Sequence, residues 1–418
     1  SASGVEQEMR VLVVGAGLSG LVAAQEAQQA GHEVSVLEAQ ERVGGRVLTL
    51  REGFAEGQFA DLGAEIVYPG QERIAALCTR HGLSLSARQH FGGALPTLVF
   101  GGRRLDRGGV QEIAGELRSA LSSTPPRPYE SVAQWERRAR VSRPVEVLLT
   151  AIAQSTPAAP LRLADAAELN AELSWGEGYR KIEGGNDLLP RAMAASLDVR
   201  LGQVVRVVGW GGGGVSVETE AETHRCDRVV VAIPGPLVTE LAFDPALPAA
   251  QVRALLQLRY GNATRLVAQY AEHDLIVGAI GSGCYTDRLP GFVLVQSVHQ
   301  AGSAIVLSGL AAGDAEPSQL TEAEILDRFD ETLSSVVGRP LRRAFGHVRC
   351  WTRDPWARAV VRAPIGDQRE SVLPVIAAPL GGRVFFAGEH TDPRVGPGGM
   401  EGAICSGYRA ARELLATA

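Results

Sequence analysis

Lysine is almost absent from this chain: of 41 basic residues only Lys181 is a lysine, and every other one is arginine. The imbalance reads as a bias of the whole composition. The arginines form no stripe and the net charge is −6, so nucleic acid is not an expected partner. Long apolar runs are also missing. The longest, 11–14 and 229–233, have strand length and fall well short of the ~20 residues of a membrane helix, so no membrane span is expected. The five cysteines, Cys78, Cys226, Cys284, Cys350 and Cys405, include no CxxC pair and no histidine at ligand spacing. They read as reduced structural thiols, and no metal site is expected. Residues 1–10 carry no apolar stretch ahead of the first strand, which argues against a secretory signal and for a cytoplasmic location.

What remains is a chain of 418 residues, 45% hydrophobic, too long for one growing core and therefore expected to form two domains. Residues 10–14 read as a buried strand, 18–30 as a helix stopped by Gly31, and 33–38 as a second strand, together a βαβ unit. Ile113, Leu117 and Leu121 recur at helical spacing in a helical stretch, 111–154, interrupted by Pro125, Pro126 and Pro128. From 199 the period shortens to strands at 204–208, 215–219 and 228–233, with a glycine turn at 211–214. Thr321 followed by Glu324 is a capping box for a helix running to Val337 before Gly338, and 400–415 reads as a last helix.

Gly15, Gly17 and Gly20 make a GxGxxG that follows a strand and opens a helix. In that setting the turn of Gly15, Ala16, Gly17, Leu18, Ser19 and Gly20 brings backbone close to a pyrophosphate at the helix N-terminus, where free N–H groups and the helix dipole favour an anion. Glu38, with Ala39 beside it, ends the second strand and is placed to accept from ribose hydroxyls; an acid there favours FAD or NAD over NADP.

The continuation Glu41-Arg42-Val43-Gly44-Gly45-Arg46 resembles the flavin amine oxidase superfamily, and the resemblance recurs in order along residues 10–415, more weakly over 90–175. It implies that Gly44, Gly45 and Arg46 approach the FAD diphosphate and flavin. Gly63, Ala64 and Glu65 would lie under the flavin. Glu183-Gly184-Gly185 is similar to the family's second Gly-Gly motif, and Val205 matches a strand position whose backbone meets the adenine. Phe385-Phe386-Ala387-Gly388-Glu389-His390 and then Gly399-Met400-Glu401-Gly402-Ala403 are the strongest match. They imply Gly388 and Glu389 on the ribityl and phosphate side, with Gly399, Met400 and Ala403 opening a helix beneath the pyrimidine ring, its N-terminus facing the charge that reduced flavin accumulates. Trp351 matches a tryptophan beside the flavin.

The resemblance further implies hydride transfer to flavin N5 from the carbon next to an amine nitrogen, an imine product, and reoxidation by O2 to peroxide. Four positions depart from the family pattern. Val360 stands where covalently flavinylated members have cysteine, so non-covalent FAD is expected. Val361 and Gly399 replace the tyrosines of the monoamine oxidase cage. Arg265 stands where the family has a lysine holding water at N5. Arg265 is the candidate catalytic residue, with a structural cation as its other reading, and Tyr68, Val361 and Gly399 are the candidate substrate pocket. Arg265, Arg353 and Arg358 are candidate partners for a substrate carboxylate; His90, His299, His347 and His390 are available acids or bases, His390 being read as lining the flavin edge.

The expected fold is α/β: a Rossmann-type FAD-binding domain from 1–68, 178–245 and 350–418, and a substrate domain from 69–177 and 246–349, a sheet with a helical lobe near 111–170. The substrate is expected to be an amine, an amino acid or a larger biosynthetic intermediate, with O2 as electron acceptor. Two other readings share the scaffold, a desaturase acting on a carbon skeleton and a non-catalytic escort protein. Nothing in the sequence sets an oligomeric state.

Overall fold

A computed structural model describes residues 8–90, 95–155, 157–169, 177–394 and 399–417. Its first strand, Arg10–Val14, lies at the centre of a five-stranded parallel sheet. Glu33–Leu37 and then Asp198–Arg200 follow on one side, Arg228–Val231 and then Val384–Phe386 on the other. A parallel sheet is covered on both faces, and the apolar run Val11 to Val14 supplies both. Val11 and Val13 face the helices Leu18–Gln29 and Gly399–Leu415, while Leu12 and Val14 face an antiparallel meander containing Val208, Val215 and Val217. Each such valine, fully buried, contributes about 1.5–3 kcal/mol relative to exposure.

The second sheet has seven strands, in the order Arg343–Cys350, Ala263–Tyr270, Ile305–Ala312, Phe292–Val295, Gly283–Thr286, Leu98–Phe100, Arg103–Arg104. Ala263–Tyr270 and Ile305–Ala312 are buried along their whole length, because both faces are covered. One cover is Glu322–Val337, with the expected Thr321–Glu324 capping box and a left-handed Gly338 ending it. The other face is shared between the helical lobe and the stretch 54–65, where Phe54, Ala60 and Leu62 pack on Val267 and Val306. The stretch expected at 111–154 resolves into three helices, Arg107–Ser123, Val132–Ala139 and Arg143–Ser155, the prolines falling in the first break. Ile113, Leu117 and Leu121 pack with Leu148, Leu149 and Ile152 against Phe292 and Leu310 of the sheet.

Among the described residues, no helix is long and apolar enough to cross a membrane, and no group of His, Cys, Asp and Glu could hold a metal ion.

Candidate active site

One long cavity runs between the two sheets. It starts at Glu38, Gln40, Val205 and Arg206, passes Gly15, Gly17 and Ser19, and continues along Arg46, Gly63, Trp351 and Glu389. It ends among Arg265, Phe292, Leu310, Pro157, Ala158 and Val361. Most of the residues expected at the cofactor line it, including Leu18, Ala39, Gly44, Gly45, Ala64, Glu65, Gly388, Gly399, Met400 and Ala403, and so does Tyr68.

Ala16 and Gly20 do not face it. Gly20 lets the helix approach the turn: a Cβ there would stand 2.0 Å from the Gly15 carbonyl. The Ala16 N–H instead donates to Glu38 Oε2 at 2.7 Å, and the Gln40 N–H donates to Oε1 at 2.9 Å. Burial pushes the Glu38 carboxyl up and these two bonds pull it down.

The cradle fits a dinucleotide. The helix Leu18–Gln29 begins at Gly17 with no side-chain cap and no acid in its first turn, so its N-terminal N–H groups are left for a ligand. A Cβ at Gly17 would meet nothing within 4 Å, so the open side of this residue faces the cavity. At Gly63 the opposite holds: a Cβ would lie 1.9 Å from the Arg46 carbonyl, so the two loops touch backbone to backbone. The Gly44-Gly45 loop is tied down by Arg42, whose guanidinium donates to the carbonyls of Val43, Gly45 and Val47, a role that its place between two motifs did not disclose. Arg46 donates to Glu389 Oε1 at 2.9 Å and to the Val360 carbonyl, so its charge is shared with the protein. None of the five cysteines lines the cavity, so the wall offers no thiol to form a thioether with a cofactor.

The end of the cavity that carries Arg265, the candidate catalytic residue, is organised around Glu65. Arg265, on Ala263–Tyr270, pairs through Nη1 with Glu65 Oε2, and its Nη2 donates to the Gly63 carbonyl at 3.4 Å. Lys181 Nζ donates to Glu65 Oε1 at 2.7 Å and to Gln296 Oε1 at 2.8 Å, and Ser308 Oγ lies 3.1 and 3.2 Å from the two carboxylate oxygens. Burial alone would raise the Glu65 carboxyl; the charges of Lys181 and Arg265 outweigh it and hold it below its ordinary value. Nearby Asp61 is also buried, accepting from Thr49 Oγ1 at 2.7 Å and from the Asn186 N–H at 3.1 Å. Burial pushes its carboxyl up to about 6, against the opposing charge of Lys181. The lysine that reads in the sequence as the leftover of a composition bias thus sits against the carboxylate that holds Arg265.

Arg353 is exposed and outside the cavity; Arg358, also outside, pairs with Glu240. His90, His299 and His347 do not line the cavity, and neither does His390. The Gly388 backbone, at φ 138°, turns the His390 ring behind it, where burial pushes the imidazole down to about 4. Val360 and Val361 both line the wall.

The description "Flavin containing amine oxidoreductase" matches residues 18–173 and 159–415, nearly the whole chain. The chain belongs to that family. Its cofactor is FAD, and it is an oxidoreductase of the amine and amino-acid oxidase type. An L-amino-acid oxidase of Mus musculus is 28% identical, the alignment covering 96% of this chain and 70% of the relative. The structure of cyclohexylamine oxidase from Brevibacterium oxydans IH-35A superposes with a TM-score of 0.83 at 21% identity, over 98% of this chain and 99% of that one. Wild-type putrescine oxidase bound to putrescine gives 0.80 at 20% identity, with the same coverage. The α/β fold, an FAD-binding part joined to a substrate part, is shared with these oxidases. The non-catalytic escort reading is set aside by the family match.

Proposed function

We propose that this chain oxidises the C–N bond of an amine that carries an apolar group and no carboxylate, giving an imine that water hydrolyses, with O2 accepting the electrons as H2O2. FAD, when bound, supplies the two-electron acceptor. The chain's part is to bind, orient and exclude water.

The observation that carries the reading is the lining of the cavity beyond Glu65. Phe292, Leu310, Pro157, Ala158, Ile66 and Val361 form apolar walls, with Tyr68 and Ser155 as polar groups among them. Phe292 pairs with Leu310 across the sheet, and Leu310 with Arg265, so these walls belong to the same end as the guanidinium. Arg265 is the cation there, and Glu65 already holds it. The residues outside the described set include no Lys, Arg or His. A substrate carboxylate would have to displace Glu65 or lie without a counter-charge among these walls. An uncompensated buried charge costs about 3–5 kcal/mol, which corresponds to roughly 100-fold or more in rate.

The test is anaerobic bleaching of the flavin by matched pairs, isopentylamine against leucine and phenethylamine against phenylalanine, followed by aerobic peroxide detection. The amines should bleach roughly 100-fold faster at equal concentration. Equal bleaching by the amino acids would refute the carboxylate argument. Bleaching by neither, with reduction by an alkene-forming substrate instead, would refute C–N oxidation.

A further inference from the structure

Lys181 is 7% exposed, does not line the cavity, and is the one lysine of a chain that otherwise uses arginine for every strong base. Its ammonium takes one oxygen of Glu65, Oε1, and leaves Oε2 to Arg265. Its backbone N–H donates to Ser86 Oγ at 3.1 Å, which fixes where the side chain starts.

We propose that Lys181 is a positioning residue for the reacting end, and that a lysine is required there because a compact ammonium divides the Glu65 carboxylate with Arg265 where a second guanidinium could not. An arginine presents two parallel N–H groups in a rigid fork and pairs with both oxygens of a carboxylate at once. Placed at 181, it would take Oε1 and Oε2 together and leave Arg265 without its anion. Arg265 takes Oε2 with Nη1 alone and spends Nη2 on the Gly63 carbonyl, so a fork at 181 that reached both oxygens would displace it. In a chain where every other Lys or Arg position is arginine, this geometry accounts for the exception. The remaining charged group facing the ammonium is Asp61, whose charge interacts with it, and Gln296 takes a second of its three N–H donors.

The proposal rests on Glu65 and Arg265 lying at the reacting end, and its test has readouts that need no substrate. FAD-loaded Lys181→Arg, which conserves the charge, should lower the melting temperature and slow flavin reduction and reoxidation by roughly tenfold or more, the worth of one hydrogen bond to a charged group. The exchanged double variant, Lys181→Arg with Arg265→Lys, restores one fork and one ammonium, and should regain melting temperature and FAD retention relative to Lys181→Arg alone. If Lys181→Arg melts and turns over like wild type, charge alone suffices and the proposal fails. If Lys181→Arg fails to hold FAD and the exchange does not bring it back, the proposal fails as well. Should every amine leave the flavin unreduced while the melting order holds, the amine reading falls and this one stands.

Discussion

Replacing Asp61 by Asn tests the electrostatics of the buried cluster directly. Asp61 is 1% exposed, and its Oδ1 accepts from Thr49 and from the Asn186 N–H. An amide oxygen accepts both bonds, so Asp61→Asn keeps the shape and removes the titration. Burial raises this carboxyl from 3.8 to about 6 in the folded chain. A raised folded value means that the folded state binds the proton more tightly than the unfolded one. The contribution to stability is therefore complete below 3.8 and is lost as the pH rises through about 6. Its full size is about 3 kcal/mol, from 1.36 kcal/mol per pH unit of displacement, and the portion lost between pH 5 and pH 8 is about 1.4 kcal/mol. Urea unfolding at saturating FAD, followed by tryptophan fluorescence at pH 5, 6, 7 and 8, measures it. Carboxylates away from the cluster titrate in both proteins and cancel in the difference. Wild type should lose about 1.4 kcal/mol more than Asp61→Asn over that span; parallel curves, within roughly 0.5 kcal/mol, would refute the burial argument.

Two glycine substitutions separate cofactor binding from folding. Gly17→Ala adds a methyl into open space at the helix N-terminus, so melting of the FAD-free chain should stay near wild type while FAD affinity, measured by flavin fluorescence quenching, falls by roughly tenfold or more. Gly63→Ala drives a methyl into the Arg46 carbonyl and should lower both; an unaltered melt would show that the loops are not in contact. Because no cysteine lines the cavity, acid precipitation should release all the yellow colour into the supernatant, and colour retained by the pellet would contradict non-covalent FAD.

The elements that were legible in the sequence are those whose signals are local. The βαβ unit is fixed by an apolar run, a glycine turn and a following helix-forming stretch stopped by Gly31, and the capping box at Thr321 states its helix start in four residues. The family motifs describe backbone that must approach a cofactor, and so keep a fixed spelling. The reacting end has no such spelling. Glu65, Lys181, Gln296 and Ser308 meet from four separated stretches, and nothing in the neighbours of Lys181 points to the carboxylate it holds. His390 shows the converse failure. Adjacency to a motif suggested that it faced the flavin, whereas the left-handed turn at Gly388 sends its ring to the back.

The short segment 61–65 ties the second Gly-Gly stretch to the seven-stranded sheet. Three successive carbonyls in it accept from three distant side chains: Leu62 from Trp351 Nε1 at 2.8 Å, Gly63 from Arg265 Nη2 at 3.4 Å, and Ala64 from Asn186 Nδ2 at 2.9 Å. Trp351 follows the edge strand of the seven-stranded sheet, Arg265 lies on the next strand, and Asn186 belongs to the second Gly-Gly stretch. Each bond is modest alone, about 0.5–1.5 kcal/mol, but together they fix the backbone from which Glu65 projects. The position of Glu65 in turn decides where Arg265 stands on the cavity wall. Asn186, fully buried and outside the cavity, is therefore coupled to the reacting end by way of the carbonyl it holds.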